Sequence, residues 1–208
     1  MTARHPSRFV AADRADRPRI WLFSDERMAD FLAAVRALPP RSGIVFRHYA
    51  TPAPARHRLF RAVLRIARAR RHVVLIAGKP IAGADGAHAS ARRGLGRGQP
   101  PVSLAVHCRR ELDLAKRLGT PIIFISPVFA TRSHTGAKPI GMAGFAQLAG
   151  GFDGRCIALG GMDADRFSAL RNHGAHGWAA IDALAEKKEM LGRQVATRGN
   201  QNLKRVPT

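Results

Sequence analysis

Short apolar runs alternate with amphipathic stretches through residues 19–184. A short apolar run bounded by Gly, Pro or polar residues reads as a buried strand. Apolar residues recurring every three or four positions read as a helix lying on its neighbours. On this pattern, strands are expected at 19–24, 43–49, 72–77, 83–89, 101–107, 121–126, 156–161 and 177–181. Helices are expected at 28–38, where Phe31, Leu32, Val35 and Leu38 share a face, and at 54–70, 109–118, 141–150 and 164–172. Pro39-Pro40 stops the first helix. The crossover from the third strand to the fourth is abbreviated, and 91–100 is a Gly/Arg/Pro loop. Within that loop Gly94-Leu-Gly-Arg-Gly98 neither follows a clear strand nor opens a long helix, so it reads as a loop and not as a nucleotide cradle.

Eight such units predict an α/β protein, a single small (β/α)8 TIM barrel. A doubly wound open sheet is the rival, and the even strand spacing favours closure. The barrel is expected over 19–185, between basic, disordered tails at 1–18 and 186–208.

Charge changes this picture. The chain carries a formal +21, and of its 35 basic residues only six are lysine. They cluster at 56–71, 92–97, 109–117 and 193–205. Such a field attracts nucleic acid or anionic lipid without specificity. Aromatics are only 6% of the chain, and no helix-turn-helix, zinc finger or RNA-stacking motif is present. An arginine-rich surface with nucleic acid bound only nonspecifically is therefore the expectation, and binding of small anionic substrates fits the same charge. No run reaches the ~20 apolar residues of a membrane span, and residues 1–18 lack a secretory pattern. Cys108 and Cys156 each end an apolar run, so both are expected as buried thiols in a reducing compartment, the cytoplasm. Cys108 directly follows His107, which predicts that it points away from it and packs among the helices.

Candidate chemistry sits where strands end. Beyond the strand at 121–126, Pro127-Val-Phe-Ala-Thr131 leads into Arg132, Ser133, His134 and Lys138. Beyond the strand at 156–161, Gly160-Gly161 allows bare backbone N–H groups close to an anion. His48, His88 and His107 all fall at strand ends. For His48 and His88 a structural hydrogen bond is expected; for His107 a structural bond and catalysis both stay open. Arg47 either pairs with Asp25 or binds an anion. A metal cluster of His48, His88, His107 and His134 lacks a recognised ligand spacing.

One ordered set of strand ends carries a resemblance. Leu22-Phe-Ser-Asp25, Ala84-Asp-Gly-Ala-His88, Ala105-Val-His107, Pro127-Val-Phe-Ala-Thr131, Gly136-Ala-Lys-Pro-Ile-Gly141, Ala158-Leu-Gly-Gly161 and Gly174-Ala-His-Gly-Trp-Ala-Ala-Ile181 follow one another across residues 19–184. Singly most are weak motifs. Together they resemble the thiamine phosphate synthase/TenI family.

The resemblance implies a small barrel of thiamine biosynthesis that binds thiazole phosphate. In the synthase it also implies pyrimidine diphosphate with Mg²⁺, the diphosphate leaving and the thiazole nitrogen capturing the resulting cation. TenI-like members move a proton within the thiazole, which needs one acid/base and no metal. The chain departs from the synthase pattern where the metal would sit. The family's Gln-x-Arg-x-Lys is reduced to Arg47, its Asn-Asp-Arg becomes Ala77-Gly-Lys79, and a second acidic ligand corresponds to Arg93. Its fifth-strand serine is Ala105, and its loop lysine is His134.

With no carboxylate pair to hold Mg²⁺, no metal ligand and no cofactor are expected, Mg²⁺ returning only if synthase activity is retained. Basic Lys79, Arg92 and Arg93 would then stand in for part of its charge. The resemblance implies His107 as acid/base. It implies that the backbone of Gly160, Gly161, Ala180 and Ile181 and the Thr131 hydroxyl hold phosphate, with Arg47, Ser133 and His134 as further anion contacts. Tautomerase-like proton transfer is thus favoured over full synthase activity. The alternatives are an inactive ligand-binding barrel and a basic nucleic-acid-associated protein. The partners expected are thiazole phosphate and, with a retained synthase activity, pyrimidine diphosphate; no membrane is expected, and a homodimer is left open.

Overall fold

The computed structural model describes residues 18–91, 100–131, 136 and 138–181. Eight strands form a ring: β1 (Ile20–Phe23), β2 (Gly43–Phe46), β3 (Val73–Ala77), β4 (Gly86–Ser90), β5 (Ser103–Val106), β6 (Ile122–Ile125), β7 (Arg155–Leu159) and β8 (Ala175–Ala180). Each pairs in parallel with the next, and β8 returns to β1 through Ile20↔Trp178, Trp21↔Ala179 and Leu22↔Ala180. That last ladder closes the barrel and removes the open-sheet alternative. The described helices are α1 (Phe31–Ala37), α2 (Ala53–Ala69), α3 (Arg109–Arg117), α4 (Gly141–Ala149) and α5 (Ala164–Leu170), with a 3₁₀ turn at Arg171–His173. None of them is long and apolar enough to cross a membrane.

The strand period of two sorts the core into an inside and an outside. Trp21, Phe23, Val45, Leu75, Ala77, Phe124, Ile157 and Ala179 fill the barrel. The alternate residues of the same strands meet the helices: Leu22, Ile44, Phe46, Val74 and Ile76 pack with α1 and α2, and Leu104, Val106, Ile123, Ile125 and Ala158 with α3 and α4. Two strand glycines make room for large neighbours inside. A side chain at Gly43 would overlap the Trp21 indole, and one at Gly86 would overlap Val102. Trp21 keeps its polar end satisfied by donating to the Pro18 carbonyl at 3.0 Å.

Several strands are shorter than the apolar runs that announce them. The first helix starts at Phe31, not residue 28, because Asp30 caps it by accepting from the Ala33 amide at 2.8 Å. The fourth strand lies at Gly86–Ser90, starting three residues later than expected, because Asp85 is tied to β3 through both its amide and its carboxylate. Its amide donates to the Val74 carbonyl, and its carboxylate accepts from the Val74 amide, each at 2.8 Å. Gly160 and Gly161 lie beyond β7, with left-handed φ of 95° and 59°. The expected tails lie outside the described residues.

Two of the buried polar groups bear on stability in ways that can be tested. Arg56 belongs to a helix whose arginines read from sequence as a solvated outer face, yet it is buried. Its guanidinium donates to the carbonyls of Ala77 (2.8 Å), Lys79 (3.1 Å) and Arg47 (3.3 Å) and lies over the Phe46 ring. It therefore ties together the outgoing ends of β2 and β3, where the ladder no longer satisfies the backbone. His88 sits inside the barrel between the edges of Phe23 and Phe124, and its Nδ1 hydrogen-bonds the Ser103 hydroxyl at 2.8 Å. Burial, followed by the nearby charges of Arg47 and His107, pushes its pKa down to about 3, so it is neutral in the folded barrel.

Arg56→Ala strands three carbonyls, so we expect a loss of about 2–3 kcal/mol, read as a fall in thermal midpoint. An unchanged midpoint would show that the clamp contributes nothing. His88 binds its proton in the unfolded chain near pH 6.5 but in the folded one only near pH 3. Its contribution is therefore fully present above pH 6.5 and is lost as pH falls toward 3, at roughly 1 kcal/mol per pH unit. Melting curves between these limits should show a shallower pH slope for His88→Gln than for the wild type. Burial lowers His48 and His72 in the same sense, so some slope remains.

Candidate functional site at the outgoing ends of the strands

The polar residues gather where the strands end, and neighbouring strands place them. On the β1–β2 side, Ser24 lies directly beyond β1, and its hydroxyl accepts from the Arg47 amide at 2.7 Å and bonds His48 Nδ1 at 2.9 Å. His48 is buried and stacks flat on Phe46, and burial lowers its pKa. It thus makes the structural hydrogen bond expected of it. Arg47 Nε donates to the Ser24 carbonyl at 2.7 Å, and its Nη2 reaches Asp25 at 3.3 Å, so the ion pair with Asp25 is formed. Asp25 is gripped harder by Arg27, through Nε and Nη2 at 2.8 Å each and the amide at 3.0 Å. The Arg27 bonds, with the charge of Arg47, hold its carboxyl well below the usual carboxylate range. Two cations thus share the Asp25 carboxylate. Glu26 is spent on the loop after β2, accepting from the Ala50 and Thr51 amides and the Thr51 hydroxyl at 2.7–2.8 Å.

Across the mouth, His107 follows β5 and leads into α3. Glu111, in the first turn of α3 and 8% exposed, reaches back to accept from the His107 amide at 2.6 Å and to meet Nδ1 at 2.9 Å. An ionised carboxylate can only accept, so Nδ1 carries the hydrogen and Nε2 is the ring's remaining acceptor. Sequence reasoning missed Glu111. Its signal was the spacing of a histidine and a glutamate across a helix start, where a glutamate bonds back to the preceding backbone. The charges of Arg47 and His107 both act on His88 to lower its pKa.

The third group comes from β6 to β8. The segment after β6 is stitched to the end of β7 by Val128 N–H to Leu159 (2.9 Å) and Phe129 N–H to Gly160 (3.1 Å). This approach is what requires the glycines. A Cβ on Gly160 would stand 2.9 Å from Pro127, and one on Gly161 would overlap the Ala130 carbonyl. Arg166, also missed from sequence, donates to the Gly161 carbonyl and lies over the Phe129 ring at 4.9 Å. Thr131 is half-buried at the end of the described segment. Ala180 is buried in β8 opposite Leu22, and Ile181 adds its side chain to the barrel interior. Gly160, Gly161, Ala180 and Ile181 therefore lie on adjacent strand ends, with Thr131 on the loop beside them. Ser133 and His134, like Arg92 and Arg93, lie outside the described residues.

Cys108 corrects the sequence reading. It is exposed at the N-cap of α3, not packed among helices. The strand ends at Val106, so alternation no longer applies at residues 107 and 108. Cys156 is buried as expected, and burial pushes its thiol up to about 12. Among the described residues, no three His, Cys, Asp or Glu side chains converge as metal ligands. Of the described carboxylates at the mouth, Asp25 is engaged by arginine, Glu26 by the Ala50–Thr51 segment and Glu111 by His107.

These features meet independent comparisons. A family model described as thiamine monophosphate synthase matches residues 43–184. The chain is similar to thiamine-phosphate synthase of Actinobacillus succinogenes, 32% identical over 95 residues, which is 44% of this chain and 43% of the relative. It is similar to a putative thiamine-phosphate synthase 2 of Aquifex aeolicus, 29% identical over 85 residues, 41% of this chain and 46% of the relative. The chain therefore spans less than half the length of the curated relatives it matches. Thiamine phosphate pyrophosphorylase from Pyrococcus furiosus superposes with a TM-score of 0.68 over 79% of this chain and 86% of that one, at 17% identity, a likeness of fold. The family match runs from β2 to just past β8, across most of the barrel that carries these strand ends, and so the chain belongs to the thiamine monophosphate synthase family.

Proposed function

We propose that this barrel is a cytoplasmic protein of thiamine biosynthesis that binds a phosphorylated thiazole and moves a proton within it. The observation that carries the reading is the pairing of His107 with Glu111 at 2.9 Å, across the mouth from the Arg47–Asp25 pair. A histidine held by a carboxylate at Nδ1 has its tautomer fixed, so that Nε2 takes the proton from one position of the thiazole. The carboxylate stabilises the imidazolium so formed, and the same Nε2–H returns the proton at a second position. Nothing is oxidised and nothing leaves. The phosphate is held by the backbone of Gly160, Gly161, Ala180 and Ile181 and by Thr131, with Ser133 and His134 continuing that loop. Arg47 supplies charge from the opposite rim while remaining paired with Asp25.

Capture of a pyrimidine cation needs a leaving diphosphate to be neutralised. No step is assigned to Mg²⁺, because the carboxylates near the mouth are committed elsewhere. Binding of pyrimidine diphosphate is thus secondary in this reading.

Calorimetry with thiazole phosphate should show binding that survives a chelator. Exchange of thiazole protons in D₂O, followed by NMR, should slow by ~10²–10⁴-fold in His107→Ala with binding retained. Glu111→Gln should lower the exchange rate by about tenfold or more, with little change in KM, because the ring loses its fixed orientation. Exchange at the wild-type rate in His107→Ala would sink the assignment. Magnesium-dependent formation of thiamine phosphate would sink the metal-free reading.

A further inference from the structure

Helix α2 carries a feature that thiazole chemistry does not use. Arg58, Arg61, Arg65 and Arg68 are all exposed and recur at helical spacing, so they form one stripe along the outer side of the helix. No Asp or Glu occurs anywhere in Ala53–Ala69. Some exposed arginines elsewhere are matched locally, Arg27 with Asp25, Arg109 with Asp113 and Arg166 with Asp163, whereas others such as Arg19, Arg117 and Arg171 stand singly and not as a stripe along one helix face. None of the four stripe side chains has an ion pair or hydrogen bond with a described residue. Like charges three and four residues apart repel along a helix. The helix tolerates this because its opposite face buries Phe60, Val63, Leu64 and Ala67 against the barrel.

We propose that this stripe is a docking surface for the phosphate backbone of a double-stranded nucleic acid, bound without sequence preference. From Arg58 to Arg68 the helix rises about 15 Å. One strand of a duplex places a phosphate every ~3.4 Å of axis, so the stripe faces about four phosphates. Arginine suits that partner, since its planar fork grips phosphate oxygens in pairs. A single strand fits less well, because stacking needs aromatic side chains. The exposed large apolar residues among those described, Tyr49 and Met142, are not on α2. A lipid surface also fits less well. Interfacial helices insert apolar side chains, and those of α2 already face the barrel.

The test uses the full chain and a mixed-sequence DNA duplex about two turns long, with affinity read by fluorescence anisotropy across salt from about 50 to 200 mM. The stripe variant is R58Q/R61Q/R65Q/R68Q. The control, R19Q/K116Q/R117Q/R171Q, removes the same charge from exposed positions elsewhere. Gln keeps helix propensity close to that of Arg, and melting curves verify that both variants fold. The stripe variant should lose at least tenfold in affinity at about 100 mM salt, with the slope of log affinity against log salt shallower by about three to four. The control should retain most of the affinity. Equal losses in both variants would overturn the proposal, since total charge would then be the cause. Stripe-dependent binding to phosphatidylserine vesicles, with duplex binding unchanged by the stripe variant, would also overturn it and assign the surface to lipid.

Discussion

A ring of eight parallel strands encloses a space that only side chains can fill, and how they fill it governs everything at its mouth. Trp21 lies where Gly43 withdraws, and Val102 where Gly86 does. Phe23 and Phe124 meet edge to face at 4.8 Å, and the His88 ring stands against both. An apolar filling of this density excludes water from beneath the strand ends. His88 is therefore held neutral, and the charges above it act through a medium that screens them poorly.

The same filling explains why the strand ends can be so polar. Each strand stops where its ladder stops, leaving carbonyls and amides to be satisfied by side chains. Arg56 does this for β2 and β3, Ser24 for the turn at Arg47, and Glu111 for the amide of His107. Glu111 has a second consequence, since the oxygen that accepts from the amide also fixes the imidazole. A backbone requirement and a candidate catalytic geometry are met by one side chain. The Gly160-Gly161 pair is similar: the loop after β6 demands glycine there, and the backbone this leaves bare belongs to the proposed phosphate anchor.

Arginine serves two unlike purposes in this chain. Arg47 and Arg56 have their charge matched by a carboxylate or by converging carbonyls, and they work as parts of the fold. The exposed arginines on the outer side of α2 have no such match among the described residues. Membership of the thiamine monophosphate synthase family accounts for the barrel but not for that surface.

The sequence by itself determined the eight strands, their order and the family, because apolar periodicity and the order of strand-end motifs are local properties of the chain; strand spacing favoured closure, and the β8–β1 ladder decided it. It also brought Arg47, Thr131, Gly160, Gly161, Ala180, Ile181 and His107 forward as strand-end candidates, and the fold does place them at the outgoing ends. It could not say that Arg56 turns inward while Arg58 does not, that Cys108 is exposed, that Glu111 reaches His107, or that Arg166 crosses to Gly161. Each of these depends on where a strand stops and how steeply the next helix leaves it. Those are set by packing between elements distant in sequence, so only the tertiary structure decided them.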